Sequence, residues 1–198
     1  MSVTLKKLSV DNFSDFEKLT SCESGGGCYC SFWHQKWAAM SDWEKCKKET
    51  PEVNRNIVLE KVKSQFHVGV LAYDGNGELL AWVSVGPLVD FYWPWKRAGA
   101  LGEIAKSTAG IVCFTLAPSQ RGKGQQREIL EALKPYGREQ GWTAIEAYPF
   151  DPSALEKHKE HVIWPGLTKG FVDAGFKRTE AHWLSNPEAE RSIYRFEL

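Results

Sequence analysis

The sequence lacks the features that define several large classes of protein. Its 198 residues contain no run of about 18 consecutive apolar residues, and the N-terminal segment has no apolar signal core. Lysine plus arginine number 25, as do aspartate plus glutamate, so the formal net charge is zero. A chain without a basic surplus is a poor candidate for general nucleic-acid binding. We therefore expect a soluble cytoplasmic protein that binds neither membrane nor nucleic acid.

Cysteine is too irregular in number and spacing for a disulfide scaffold. The five cysteines are odd in number, and one of them lies in an apolar run of strand length. The paired C-x-x-C halves of structural zinc sites are missing, so no metal is expected, although some side chains carry zinc-ligating atoms: Cys28, Cys30, His34 and either Cys22 or Cys46. A nucleophilic cysteine with His34 as its base is a second alternative that the sequence leaves open.

Two common nucleotide-binding patterns are also missing. The Walker pattern fails because Ala117 replaces its first glycine and Gly124 stands where serine or threonine is required. No G-x-G-x-x-G occurs anywhere in the chain. Any phosphate-binding loop in this protein must therefore be of another type.

A loop of another type is predicted directly after the β-branched and aromatic run at 111–116. Pro118 ends this strand, because proline cannot donate to a sheet ladder, and the sequence RGKG follows at 121–124. Glycines at alternate positions let successive backbone N–H groups converge, and a helix predicted from Gln125 adds its free N-terminal donors. We expect this loop to bind a diphosphate, whereas the alternative is an exposed basic turn.

The order of strand, x-x-P-x-x-R-G-K-G and helix resembles the acetyl-CoA loop of the GNAT N-acetyltransferase superfamily. In the family motif R/Q-x-x-G-x-G/A, Arg121 and Gly124 occupy the first and fourth positions, and Gln126 stands where the family has a small residue. A second strand and a helix that ends in Ala174-Gly175-Phe176 follow in the family's order. The resemblance covers about Gly110 to Phe176.

This resemblance implies a single domain over residues 1–198 of the α/β class (mixed α+β). Its expected centre is a mixed, mostly antiparallel sheet of about six to seven strands flanked by helices. An N-terminal Cys/Trp-rich segment at 21–65 is predicted to be helical, with one helix from about Ser31 to Lys48. Insertions at 88–109 and 151–165 exceed the family's minimal core, and segments of this kind commonly form substrate walls.

The resemblance further implies acetyl-CoA as co-substrate and direct transfer of its acetyl group to an amine. The backbone of Phe114 and Leu116 is expected to hydrogen-bond the pantetheine arm as an added strand would. The residues expected to hold the pyrophosphate are those of the loop and the first helical turn: Arg121, Gly122, Lys123, Gly124, Gln125 and Gln126.

The acid and base are predicted from the strand after the loop. Many family members use a tyrosine as acid at the position that is Phe171 here, and phenylalanine cannot donate a proton. We therefore predict Tyr148 as the acid and Glu146, on the same strand face, as the base if burial raises its pKa. Glu103 is the competing base. The alternative for Glu146 is a structural carboxylate paired with an arginine or lysine.

The acceptor site is predicted from the aromatic run at 91–95. Tyr92, Trp93 and Trp95 are expected to contact an apolar or cationic part of the acceptor, and the alternative is a hydrophobic cluster that anchors a loop. The predicted function is N-acetylation of a small-molecule primary amine. A catalytically inactive acyl-CoA-binding sensor and a peptide or protein N-terminal acetyltransferase are the alternatives, and a homodimer stays open.

Overall fold

The fold is a seven-stranded sheet with helices on both faces. A computed structural model describes residues 2–150, 165–183, 185, 187 and 190–198. Within them the strands are β1 (Thr4–Lys7), β2 (Val70–Tyr73), β3 (Leu79–Pro87), β4 (Thr108–Leu116), β5 (Ala144–Ala147), β6 (Lys177–Ala181) and β7 (Ser192–Glu197). They lie in the order β1-β2-β3-β4-β5-β7-β6, and every neighbouring pair is antiparallel except β4 and β5. The mixed, mostly antiparallel sheet predicted from the sequence is confirmed.

The helices connect the strands and cover the two faces of the sheet. They are α1 (Phe13–Thr20), α2 (Cys22–Gly25), α3 (Met40–Glu49), α4 (Pro51–Lys63), α5 (Trp95–Leu101), α6 (Gln125–Glu139) and α7 (Thr168–Asp173). On one face, α6 buries Ile129 and Leu133 in the same apolar cluster as Val83 of β3. On the other face, Phe16 of α1 packs edge-on against Trp82, with ring centroids 4.7 Å apart. Burial of apolar area on both faces is the main stabilising contribution to such a sheet.

Strands β4 and β5 separate partway along their length. Their parallel pairing extends only from Thr108 to Ile111, opposite Ala144 to Ala147. Strand β4 continues to Leu116 and stays paired with β3 on its other edge. Beyond Ile111, the edge of β4 that faces β5 therefore has no strand partner among the described residues. The separation opens a cleft within the sheet.

The helix predicted from about Ser31 to Lys48 is wrong in its first half. Ser31–His34 forms a single 3-10 turn, the chain is not helical from 35 to 39, and α3 begins only at Met40. Asp42 fixes this later start, because its carboxylate accepts the backbone N–H of Ala39 at 3.1 Å. Tertiary contacts of the aromatic residues, which pack on rings from a distant loop, override the local helical preference.

Of the two predicted insertions, the structure describes the first, 88–109. The segment 88–109 contains α5 between two 3-10 turns, Leu88–Asp90 and Gly102–Lys106, and its last residues belong to β4. The segment 151–165 lies outside the described residues except for Pro165. Among the residues with a described conformation, no helix is both long and apolar enough to cross a membrane.

A buried polar network holds the turn at Ser31 against α4. Asn54 is fully buried, and its Nδ2 donates to the carbonyl oxygen of Gly27 at 3.0 Å. Its Oδ1 accepts the hydroxyl of Ser31 at 2.7 Å, and Trp43 Nε1 donates to the same hydroxyl oxygen at 3.1 Å. Buried polar groups are costly unless they are paired, so this network favours a single position for the turn and the aromatic residues that follow it.

We predict that Asn54→Ala destabilises the protein by about 1–3 kcal/mol, because it leaves the buried Gly27 carbonyl and Ser31 hydroxyl without their partner. Urea unfolding followed by far-UV circular dichroism measures the change. Asn56→Ala is the matched control, because Asn56 is exposed on the same helix. Equal stability of the two variants would contradict a positioning role for the network.

Candidate functional site

A cavity of about 310 Å³ lies where β4 and β5 separate. Val112, which lines it, is the first residue of β4 beyond the paired segment, and Tyr148 is the first residue after β5. The other lining residues come from several separate parts of the chain: Phe32, Trp33, Trp37, Ala38, Ala39, Met40, Trp93, Pro94, Pro165, His182, Trp183 and Arg191. The cleft in the sheet thus continues directly into a mainly aromatic chamber.

Ring contacts hold the chamber walls together. Phe32 and Trp93 stack with parallel planes, their ring centroids 5.7 Å apart. Tyr148 meets His182 and Trp183 edge-on at 5.5 and 5.3 Å. Burial, followed by the nearby Arg191 charge, lowers the pKa of His182 to about 3, so this imidazole is neutral at neutral pH.

The open edge of β4 presents the backbone of Phe114 and Leu116. Ala117 directs its N–H towards β3, where it donates to the carbonyl oxygen of Leu80 at 2.8 Å. Because successive residues of a strand direct their backbone groups to opposite edges, those of Leu116 and Phe114 face away from β3. They therefore face the cleft, as the sequence predicts for groups that hydrogen-bond an extended ligand.

The loop after β4 exposes a row of backbone donors. Gly122 and Gly124 have φ angles of 74° and 75°, a left-handed conformation that side chains other than glycine seldom adopt, and open space surrounds both. No side chain caps the start of α6. In the described part of the chain, no acceptor is found for the backbone N–H groups of 122–126. The exposed side chains of Arg121 and Lys123 add positive charge to this helix N-terminus.

The side chain of Gln126 is occupied away from this loop. Its Nε2 donates to the Leu167 carbonyl oxygen at 3.0 Å, and its Oε1 accepts the Leu167 N–H at 3.2 Å. A Cβ at Gly170 would lie 2.5 Å from Gln126 Cδ, so glycine at that position makes room for the amide. The residue that departs from the family pattern therefore ties α6 to the start of α7 and leaves its own backbone N–H available.

Glu146 lies at the centre of a buried ion-pair network. Its side chain is 0% exposed, and Arg97 donates to both oxygens, from Nε at 2.8 Å and from Nη2 at 2.6 Å. Arg195 Nη1 donates to Oε1 at 2.9 Å, and the Tyr148 hydroxyl donates to Oε2 at 3.3 Å. These contacts match the structural carboxylate that the sequence left as the alternative for Glu146. Both oxygens that a base would use already accept hydrogen bonds from guanidinium groups.

Tyr148 is held in its protonated form. Complete burial and, next in importance, the Glu146 charge raise the pKa of its hydroxyl well above the ordinary value. Gly110 of β4 lies beneath the ring, since a Cβ there would be 3.2 Å from the hydroxyl oxygen. The hydroxyl donates its one proton to Glu146 Oε2 at the end of β5.

The remaining predicted acceptor residues are only partly brought together. Trp93 lines the cavity, whereas Tyr92 packs beside it and donates its backbone N–H to the Trp33 carbonyl oxygen at 2.8 Å. Trp95 is 55% exposed, and Glu103, whose side chain is 87% exposed, pairs with Lys106 at 2.6 Å. The structure does not place Tyr92, Trp95 or Glu103 on the cavity wall.

His34 does not pair with a cysteine. Its ring is buried against Phe91, and neither ring nitrogen has a hydrogen-bond partner. Burial lowers the pKa of His34 to about 3, so the ring is neutral at neutral pH. Among the described residues, no group of three or more histidine, cysteine, aspartate or glutamate side chains is arranged to hold a metal ion.

Sequence reasoning missed most of the cavity wall. Trp33 and Trp37 lie in the segment 21–65 that the sequence predicts to be helical, and His182, Trp183 and Arg191 lie beside β6 and β7, which carry no recognisable motif. These residues meet only because β6 and β7 return beside β5. The one sequence signal for this wall is the abundance of tryptophan, nine residues in the chain, of which four line the cavity.

Comparison with known proteins defines the fold. No protein-family model and no curated protein matches the chain. Aminoglycoside acetyltransferase AAC(6')-Ib, solved with coenzyme A and kanamycin, is similar in structure, with a TM-score of 0.61 and 20% identity over 99% of this chain and 95% of that one. A chimera of the spermidine N-acetyltransferase SpeG from Vibrio cholerae and hSSAT has a TM-score of 0.54 and 12% identity over 100% and 96%. The chain therefore has the GNAT acetyltransferase fold that its sequence predicts.

We predict that Glu146→Gln lowers the free energy of unfolding by about 3 kcal/mol, because it leaves two guanidinium groups without their buried counter-charge. Urea unfolding measures this. Glu180→Gln is the matched control, since Glu180 pairs with the same Arg97 at 2.7 Å but is 56% exposed, and we expect a loss below about 1 kcal/mol.

Turnover of the Glu146→Gln variant, measured alongside its stability, distinguishes a structural role of Glu146 from a role in proton transfer. Unchanged stability of Glu146→Gln together with lost turnover at saturating substrate would restore Glu146 as the base and contradict the structural role.

Proposed function

We propose that the protein is an acetyl-CoA-dependent N-acetyltransferase in which a small-molecule primary amine attacks the thioester directly. The observation that carries this proposal is the open edge of β4, which leads from the aromatic cavity at Val112 to the uncapped start of α6. Such a path offers backbone pairing along an extended arm and amide donors at its anionic end. The coenzyme A bound to AAC(6')-Ib supports the same assignment here.

In this proposal the cofactor is held mainly by main-chain groups. The backbone of Phe114 and Leu116 pairs with the pantetheine arm. The pyrophosphate accepts hydrogen bonds from the amides of the loop, with contributions from the basic side chains: Arg121, Gly122, Lys123, Gly124, Gln125 and Gln126. Gln126 takes part through its backbone N–H alone, because its side chain is bound to Leu167.

The chemistry requires four events at the thioester. The neutral amine nitrogen bonds to the carbonyl carbon, the nitrogen then loses a proton, the carbon–sulfur bond breaks, and the leaving thiolate takes up a proton. We assign the proton that the thiolate takes up to the Tyr148 hydroxyl, which burial keeps protonated; it donates to Glu146 before the reaction and would turn to the sulfur as the thiolate forms. The proton lost by the nitrogen then restores the phenol through solvent. The aromatic cavity disfavours an ammonium ion by desolvation, so the acceptor amine loses its own proton more readily on entry, and solvent takes that proton.

The alternatives make different predictions for turnover. A sensor binds acyl-CoA without releasing thiol, and a peptide N-terminal acetyltransferase prefers peptides to small amines. The small cavity favours a small acceptor, because about 310 Å³ is at the lower end of the usual range for ligand pockets. A cytoplasmic location belongs to the proposal, and homodimerisation stays a prediction.

The proposal is tested by mixing the protein with acetyl-CoA and a panel of amines, amino acids and short peptides, and by titrating the thiol that is released. Turnover with small amines or amino acids supports it. Cofactor binding without turnover across the panel would identify a sensor, and turnover with peptides alone would identify the third alternative.

Gly124→Glu is expected to abolish the rise in melting temperature that acetyl-CoA produces. The new carboxylate would repel the pyrophosphate and occupy the space in front of the free amides. Gly141→Glu is the matched control, because Gly141 has a φ of 77°, open surroundings and a place at the other end of the same helix. The Gly141→Glu variant carries the same backbone strain, and acetyl-CoA should raise its melting temperature as much as that of the unaltered protein. An equal shift in both variants would place the cofactor elsewhere.

We expect Tyr148→Phe to lower kcat by about 100-fold while the acetyl-CoA-induced melting shift is unchanged, since only proton donation to the thiolate is lost. Tyr136→Phe is the control, because it removes a hydroxyl that binds His67 Nε2 on the far side of the sheet. Full turnover in Tyr148→Phe would remove the hydroxyl from the mechanism.

A further inference from the structure

We propose that the acceptor is a primary amine that carries a carboxylate and an aromatic body, of the size of one aromatic amino acid, and that Arg191 binds its carboxylate. The inference rests on the proposed N-acetyltransferase function and names the substrate class of the same site. It comes from the charge and the aromatic lining of the cavity.

The charge of the cavity wall is positive. Among the described lining residues there is no aspartate or glutamate, and Arg191 is the one ionised side chain. His182 adds no charge at neutral pH, because burial lowers its pKa to about 3. Glu146 lies close by, behind Tyr148, but its charge is compensated by Arg97 and Arg195. A ligand that brings its own anion therefore fits this wall better than a ligand that brings further cations.

Arg191 is placed to receive that anion. Its guanidinium stacks on the ring of Phe150, 3.7 Å from the centroid, and no carboxylate in the described part of the chain pairs with it. Burial lowers its pKa to about 10, which still leaves it charged at neutral pH. A half-buried guanidinium without a counter-ion is a strong site for bidentate binding of a carboxylate.

The backbone around Arg191 is fixed before any ligand binds. Its N–H donates to Ser185 Oγ at 3.1 Å, and its carbonyl oxygen accepts the N–H of His182 at 3.0 Å. An isolated β-bridge joins it to Phe150, the residue on which its side chain stacks. A donor held in this way loses little conformational entropy on binding, which favours affinity.

The rest of the cavity matches an aromatic body. Phe32, Trp33 and Trp183 supply ring faces and edges, a geometry suited to a planar ligand. The indole nitrogens of Trp37 and Trp93 are buried without hydrogen-bond partners, and an indole N–H can only donate. Both nitrogens are shielded from the cavity in this structure and have no partner among the described residues, so the contact with the ligand body rests on the ring faces and edges.

The same features separate this cavity from the sites of polycation acetyltransferases. Kanamycin and spermidine, the compounds in the names of the structural neighbours, each carry several ammonium groups. A wall whose described residues include Arg191 and no carboxylate repels such compounds. The shared fold therefore does not extend to a shared acceptor class.

The test compares acceptors that differ by one carboxylate. Phenylalanine is paired with phenethylamine, tryptophan with tryptamine, and spermidine and kanamycin serve as polycations, all with acetyl-CoA and thiol titration. We expect kcat/KM for the amino acids to exceed that of the matched amines by about tenfold or more, as a charge-assisted bidentate contact predicts. A preference for the decarboxylated amines or for the polycations would overturn the inference.

The role of Arg191 is tested with variants on the same pairs. Arg191→Gln should lower kcat/KM for phenylalanine about tenfold or more and leave phenethylamine unchanged, and Arg191→Lys should retain part of the preference. Arg138→Gln, at an exposed position far from the cavity, is the control. Equal loss with both acceptors, or no loss with either, would contradict binding of the carboxylate by Arg191.

Binding is measured separately from turnover by phenylalanine quenching of tryptophan fluorescence, which the four cavity tryptophans should report. Saturable quenching that Arg191→Gln weakens supports the inference, and its absence in the intact protein overturns it. Failure of the proposed function looks different: acetyl-CoA then produces no melting shift at all. If acetyl-CoA binds and another amine class is acetylated, the function stands and only the acceptor assignment falls.

Discussion

The separation of β4 from β5 is the constraint on which the site depends. Strand β5 pairs with β4 over Thr108–Ile111 and ends there, so one edge of β4 beyond Ile111 has no strand partner among the described residues. Unpaired backbone groups of this kind are costly when buried and invite an added extended chain. The same separation creates the cavity at Val112 and Tyr148 and aims β4 at the start of α6. The cleft for the pantetheine arm, the aromatic cavity and the position of the phosphate-binding loop thus all follow from one feature of the sheet.

The phosphate-binding loop, the region around Glu146 and the aromatic cavity differ in charge. The loop at 121–124 is basic and exposed, which suits a soluble anion. In the middle, the carboxylate of Glu146 is fully compensated by Arg97 and Arg195 and holds the Tyr148 hydroxyl in place. The cavity beyond is mainly apolar, and Arg191 is the one charged group among its described lining residues. Each region therefore matches a different part of the reaction that we propose.

The parts of the molecule that could be predicted from sequence are those set by local spacing. The strand at 111–116, the paired glycines and the following helix are encoded within 30 contiguous residues, roughly the length of one strand–loop–helix unit. The helix predicted over Ser31 to Lys48 failed because Phe32 stacks on Trp93, a contact that periodicity does not contain. Gln126 departs from the family pattern, and its contact with Leu167, opposite Gly170, joins residues too far apart in the chain for local spacing to reveal. Arg191 and Trp37 could not be foreseen, since strand order alone brings them together.

The central claim is that main-chain groups along β4 and at the start of α6 bind coenzyme A. Isothermal titration calorimetry with coenzyme A tests it most directly, with pantetheine as the matched ligand that lacks the pyrophosphate. The account predicts saturable binding of one coenzyme A per chain and at least about tenfold weaker binding of pantetheine. No heat of binding at millimolar coenzyme A, or equal affinity for the two ligands, would contradict it.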